Sequence, residues 1–319
     1  MRRHLLERAT TLRPGRLSTI AATLALILSA GASSSVSSSL TVAGLARAPR
    51  APAPGPPAYG NDISWPQCPR GGGGYGLPGP MASASFAVLG LTDGGSLHAN
   101  PCLAGQVASA HTRHLWTGAY AIVTYPTSAQ LTRYGGTGTL PVRLGRFGAV
   151  QAVFNLATMA RAGLRSPMIW VDVETRTQSP WSASAVNNNA VIEGVIARYQ
   201  AAGIHAGIYS YDKAWKAITG GRVLPGVPTW VPVGTKGRTA AAATCTAVSF
   251  SGSKPWLTQW TDGVRDYNLT CPGVTGRAAS GNLLTPYINV GLRSGSLGAG
   301  TGRYTPSTPG FMGALFAST

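Results

Sequence analysis

Acidic side chains are what this chain has least of: nine Asp and Glu stand against 26 Lys and Arg in 319 residues. A polypeptide so poor in acid is not an acidic, solvated tail-type protein, and its few carboxylates are worth locating one by one. Histidine is also scarce, at five residues, and H111-T-R-H114 lacks the third ligand of an H-E-x-x-H pattern. The glycine run G71-G-G-G-Y-G76 lacks the G-K-S/T of a phosphate loop and reads as a turn. No G-x-S-x-G elbow occurs, which removes the usual serine hydrolase. Neither a metal nor a cofactor is expected.

Long apolar runs are missing as well. The strongest, Ile20 to Leu28, falls short of the roughly 20 residues that span a bilayer. It follows Arg2, Arg3, Arg8, Arg13 and Arg16 and ends in A30-G-A32, the layout of a secretory signal peptide over residues 1–32. Residues 33–58 are rich in Ser, then in Ala and Pro, and suit a linker. Residues 294–319 form a low-complexity tail of Gly, Ser, Thr and Pro, which leaves residues 59–293 as the folded domain. The expected destination is outside the cell or at its wall.

Four cysteines, Cys68, Cys102, Cys245 and Cys271, show no C-x-x-C or zinc-type spacing. In an exported chain an even count points to disulfides. Three pairings are open, and proximity in sequence favours Cys68–Cys102 with Cys245–Cys271. Without residues 1–32 the chain keeps 21 basic and eight acidic residues. Such a surface attracts polyanions. The basic residues are scattered and match no helix-turn-helix, RRM or zinc-finger pattern, so anionic wall polymers are the expected partners and nucleic acid is not.

Short apolar runs alternate with helical stretches. Strands are expected at 60–64, 86–91, 116–124, 168–173, 206–210, 229–233 and 256–260, with a last one near Tyr267. Helices are expected at 104–114, 148–162 and 184–202, the last with Val186, Ile192, Val195, Ile196 and Tyr199 near helical spacing. Continuous apolar strands between helices indicate a parallel sheet. About eight such units predict an α/β fold, a TIM-like (β/α) barrel that becomes irregular in its last third; an open doubly wound sheet is the alternative.

Functional groups of such a barrel lie at the C-terminal ends of its strands. Asp62, Asp93, Asp172, Glu174, Asp212, Asp262 and Asp266 all fall in or near expected strand ends, and Glu193 alone sits inside a helix. Asp172 and Glu174 are two apart on one strand end, hence on one face. Two readings stand for that pair: acid/base chemistry on a glycosidic bond, or a salt-bridged strand end completed by Arg176. Tyr120, Tyr209, Trp230 and Trp260 lie on expected strands, where their flat faces could stack on sugar rings or simply fill the core.

Several segments resemble glycoside hydrolase family 25, the secreted lysozyme-type muramidases. They are G60-N-D-I-S-W-P-Q67, F86-A-V-L-G-L-T-D-G94, G118-A-Y120, W170-V-D-V-E174, G207-I-Y-S210 with Trp215, and L257-T-Q-W-T-D262 with D266-Y-N268. They follow the family's order across the whole domain. The resemblance is closer still to secreted actinobacterial proteins, through N100-P-C-L103, W170-V-D-V-E-T175 and D266-Y-N-L-T-C271. It implies Glu174 as general acid, Asp172 as stabiliser of positive charge or orienter of the acetamido group, and Asp62 and Asp266 on the opposite sides of a cleft. Asp93 takes the place of an acid that commonly follows Thr in the second strand. The implied substrate is peptidoglycan or another cell-wall polysaccharide, cut at the β-1,4 bond after N-acetylmuramic acid by a monomer. The third strand, A119-Y-A-I-V-T, and Asn268 depart from the family pattern, and they leave a non-catalytic wall-binding barrel as the alternative.

Overall fold

The computed structural model of the protein describes residues 57–272 and 274. The expected signal peptide, most of the expected linker, the end of the expected domain and the expected tail lie outside the described residues. Eight strands form one closed barrel in sequence order: β1 (Tyr59–Ile63), β2 (Phe86–Gly90), β3 (Trp116–Ile122), β4 (Met168–Asp172), β5 (His205–Tyr209), β6 (Thr229–Pro232), β7 (Pro255–Thr261) and β8 (Asp266–Thr270). All eight strands fall where the apolar runs placed them.

The expected parallel sheet needs one correction. Pairing is parallel from β1 through β7, but β8 runs antiparallel to both β7 and β1. A parallel return needs a crossover of about a dozen residues. Only residues 262–265 separate β7 from β8, so the chain must make a hairpin. Its turn is fixed by Asp262, whose Oδ1 accepts the amide hydrogens of Val264 and Arg265 at 2.9 and 2.8 Å, with Gly263 at φ 87°.

Among the described residues six α-helices accompany the strands: α1 (Leu103–Thr112), α2 (Ser128–Tyr134), α3 (Leu140–Arg161), α4 (Ala185–Ala201), α5 (Asp212–Thr219) and α6 (Gly237–Thr244). Helix α3 begins eight residues before the expected start, and Pro141 fits its first turn because the amide hydrogen that proline lacks would have no partner within the helix there. Helices α2, α5 and α6 are too short to show a sustained apolar period and were not expected. Val186 is 69% exposed and stands apart from the stripe of Val191, Ile192, Val195, Ile196 and Tyr199 that α4 buries. Backbones of α3 and α4 meet closely, since a Cβ on Gly194 would lie 2.1 Å from the Gly145 carbonyl oxygen.

Strand alternation divides the core in two. Ala87, Leu89, Ala119, Ala121, Ile169, Val171 and Ile208 face outward and pack with the helices. Phe86, Val88, Met168, Trp170, Trp230 and Leu257 face inward and fill the lower barrel. Large inward rings need small neighbours. A Cβ on Gly207 would sit 2.4 Å from the Trp170 ring, and one on Gly60 would sit 2.5 Å from the Phe86 ring.

Both favoured disulfides are present, Cys68–Cys102 and Cys245–Cys271. Each closes a local loop, of 34 and 26 residues in sequence separation, worth about 3–4 kcal/mol by the chain-entropy estimate. Beside the first, Asn100 donates to the Gly90 carbonyl and to Gln106, and Gln106 donates to the Ser64 carbonyl, which ties the ends of β1 and β2 together.

Gly207→Ala is expected to destabilise the barrel by about 1–3 kcal/mol through overpacking against Trp170. A lowered urea midpoint with an unchanged slope is the measurement that checks this.

Candidate active site

An open cleft at one end of the barrel is lined by Asp62, Tyr120, Asp172, Glu174, Arg176, Tyr209, Trp230, Gln259 and Asp266. Alternation explains the gathering. Asp62, Tyr120, Asp172, Tyr209 and Gln259 stand on the inward face near the C-terminal ends of β1, β3, β4, β5 and β7. Reversal of β8 brings its first residue to the same end, where Asp266 pairs in register with Asp62. Half of the eight acids among the described residues therefore share one cleft.

Asp62 is 7% exposed, and its Oδ1 accepts from Gln259 Nε2 at 2.8 Å and from Asn268 Nδ2 at 2.6 Å. The Gln259 amide is itself oriented by the Tyr209 hydroxyl, which donates to its Oε1 at 2.8 Å. Burial, then repulsion from Asp266, pushes the Asp62 pKa from 3.8 up to about 8, against the lowering effect of the two amide donors. Asp266 is raised by burial, opposed by the Thr261 hydroxyl.

On the other wall stand Asp172 and Glu174. Val173, between them, donates its amide hydrogen to the Tyr209 carbonyl and accepts from the Ser210 hydroxyl. The Glu174 carbonyl accepts from the Trp181 indole at 2.9 Å. Arg176 Nη2 reaches Asp172 Oδ2 at 3.2 Å and Glu174 Oε2 at 3.1 Å. Burial, then the neighbouring Glu174, holds Asp172 well above the usual carboxylate range, with Arg176 opposing. Glu174 is raised by burial, with Arg176 opposing and Asp266 adding to the rise. Asp172 Oδ1 is buried and finds no hydrogen-bond partner among the described residues.

Trp230 forms the floor. Tyr209, Tyr120 and Trp170 meet its ring edge-on at centroid distances of 4.7, 5.8 and 5.9 Å. The buried Tyr120 and Tyr209 hydroxyls are pushed up by burial and then by nearby carboxylates, so both stay neutral donors.

The structure thus brings together Asp62, Tyr120, Asp172, Glu174, Tyr209, Trp230 and Asp266. Two residues singled out for substrate lie elsewhere. Asp93 is carried past β2 into a loop, where its amide bonds to the His98 carbonyl. Trp260 follows the inward Gln259, so alternation turns it outward, where it stacks on Tyr267 at 5.4 Å. Gln259 was not singled out from the sequence, and Asn268 was noted only as a departure from the family pattern, not as a partner of Asp62. Their signal was period 2: Gln259 is two residues beyond inward Leu257, and Asn268 two beyond Asp266. Among the described residues no group of three or more His, Cys, Asp or Glu is placed to hold a metal ion.

Residues 143–241 match the family model described as "Lysozyme-like protein 1", a span that contains Asp172 and Glu174 but neither Asp62 nor Asp266. A curated relative, a probable GH family 25 lysozyme 4 of Dictyostelium discoideum, is 39% identical over 54 residues, covering 17% of this chain and 24% of that one. The domain is similar to family 25 lysozymes. The chain spans about a quarter of the length of this curated relative. Among solved structures, the bacterial lysozyme from Streptomyces coelicolor matches at 19% identity and TM-score 0.47, over 73% of this chain and 97% of that one. A family GH25 lysozyme from Aspergillus fumigatus matches at 15% identity and TM-score 0.48, over 70% and 97%.

A raised carboxyl pKa makes stability depend on pH in a definite direction. The folded chain keeps the Asp62 proton that the unfolded chain releases above 3.8, so Asp62's contribution falls as pH rises toward about 8 and is gone above it. Asp62→Asn keeps the Oδ1 acceptor and removes the titration. Its stability is expected to fall less than that of the unchanged protein between pH ~4 and pH ~8. Urea midpoints measured across that window check it.

Proposed function

We propose that the protein is an exported cell-wall glycosidase, acting as a monomer on the β-1,4 bond after N-acetylmuramic acid in peptidoglycan. One observation carries this reading: an acid-poor chain gathers Asp62, Asp172, Glu174 and Asp266 in a single open, aromatic-lined cleft. The matches to a lysozyme-like family model and to a probable family 25 lysozyme support it. Two disulfides suit an oxidising compartment, in keeping with the signal peptide read at residues 1–32.

In this reading Glu174 delivers a proton to the leaving glycosidic oxygen. Burial favours its protonated form, as a general acid requires. Asp172, on the same wall of the cleft, accepts from the acetamido N–H or faces the positive charge that develops at the anomeric carbon. Asp62, braced by Gln259 and Asn268, and Asp266 form the opposite wall. Tyr209, Tyr120 and Trp230 supply neutral donors and flat faces for a pyranose ring.

Outside the cleft the described residues carry fifteen Lys and Arg against four acids, Asp93, Glu193, Asp212 and Asp262. Such a surface draws the barrel to anionic wall polymers, an attraction that added salt screens.

A second reading, a wall-binding barrel without catalysis, is favoured by the ion pairs through which Arg176 occupies both Asp172 and Glu174. Incubation with purified peptidoglycan separates the two. The unchanged protein is expected to release new reducing ends, and Glu174→Gln to release them at least about 100-fold more slowly. Sedimentation with the wall and no new reducing ends from the unchanged protein would establish binding alone.

A further inference from the structure

Arg176 has no part in the chemistry described so far, yet it lines the cleft and touches both acids of the β4 end. We propose that Arg176 is a positioning residue: its guanidinium, spanning Asp172 and Glu174, holds both carboxyl groups in place and keeps Glu174 poised as the proton donor. This rests on the reading of Glu174 as that donor.

The geometry around it supports the assignment. Every residue from Val173 to Thr175 is fastened to the next strand or to the following loop. Val173 is bonded to Tyr209 and Ser210, the Glu174 carbonyl to Trp181, and the Thr175 hydroxyl to that of Tyr211 at 3.0 Å. The two carboxyl groups therefore project from a fixed backbone. Two acids on one face repel when both are charged, and a retained proton or a cation between them lets them stay close. Arg176 supplies the cation through a single nitrogen, at 3.2 and 3.1 Å, while its buried Nε finds no partner among the described residues. A guanidinium engaged through one nitrogen is aimed at the space between the two acids rather than clamped on either.

The charged and titratable groups around Glu174 make the role specific. Asp172 adjoins it on β4, Tyr209 faces it from β5, Tyr120 from β3, Asp62 from β1 and Asp266 from β8. All of these are neutral or negative, and Arg176 is the cation among the cleft-lining residues. Burial and Asp266 drive Glu174 toward the protonated form, and Arg176 opposes them. That balance sets how high a pH the donor still carries its proton. Removing the arginine leaves the burial and the repulsion unopposed, so Glu174 must hold its proton to higher pH.

The sequence offers a direct readout. The chain contains three glutamates, Glu7, Glu174 and Glu193. Glu193 is half exposed and paired with Arg222 on the outer surface, so it serves as an internal reference. Carbon-13 labelling of the glutamate carboxyl carbon gives a spectrum simple enough to follow each group through a pH titration. In Arg176→Ala the Glu174 midpoint is expected to move upward by about one unit, with Glu193 unmoved. Arg176→Lys is expected to restore part of that shift. The alkaline limb of reducing-end release from peptidoglycan is expected to move in the same direction. Should Arg176→Ala not fold, Arg176→Gln removes the charge while keeping much of the length. Coincident Glu174 titrations in the unchanged protein and the folded uncharged variant overturn the proposal. A shifted titration with no reducing ends released by any form upholds the hold of Arg176 on the Glu174 carboxyl and sinks the glycosidase reading, and with it the donor role, instead.

Discussion

Four carboxyl groups share one partly buried cleft, and the charge they cannot all carry at once shapes the interior around them. Each is pushed toward its protonated form by burial, and each neighbour that ionises makes the next ionisation harder. The surrounding residues read as responses to that constraint. Gln259 and Asn268 offer amide hydrogens to Asp62, Arg176 sits between Asp172 and Glu174, and Tyr209 turns Gln259 so that its donor faces the acid. The glycine-for-aromatic exchange lower in the barrel serves the same end. Trp170 and Trp230 fill the space beneath the cleft with apolar rings, and that apolar floor is part of what raises the acids.

Charge is also segregated on the scale of the whole domain. Acids are concentrated inside, and the outer surface is cationic. A polymer approaching from solution first meets a positive field, whose range is set by salt. Only within the cleft does the chemistry turn acidic. On the proposed reading, one chain is in this way drawn to a polyanionic matrix and still presents proton donors to a neutral glycosidic bond.

Much of this was legible in the sequence, and the reasons for the rest are physical. Apolar runs located the parallel strands because such strands, when buried, are hydrophobic on both faces; the antiparallel β8 was placed only as a short strand near Tyr267. Rarity marked Asp172 and Glu174, and proximity marked the two disulfides. Strand direction was not legible, because periodicity carries no sense of up or down; the length of the 262–265 connection held that information instead. Helices α2, α5 and α6 are too short for a periodic signal. Asp93 and Trp260 were drawn into the candidate site by nearness to strand ends, where one residue of register decides which side of the wall a side chain occupies. Arg176 was noticed only as a possible salt-bridge partner, since its place inside the cleft depends on how the β4–α4 loop folds back.

Closure through β8 has a consequence in time as well as in space. Asp62 belongs to the first strand and Asp266 to the last, and the Asn268–Asp62 hydrogen bond joins residues 206 apart in sequence. Contacts of such separation carry a large loop-closure cost, and folds that depend on them fold slowly. The two halves of the acidic cleft therefore cannot meet while β8 is still being synthesised. Whatever the finished barrel does to a glycan, the nascent chain lacks the assembled means to do it.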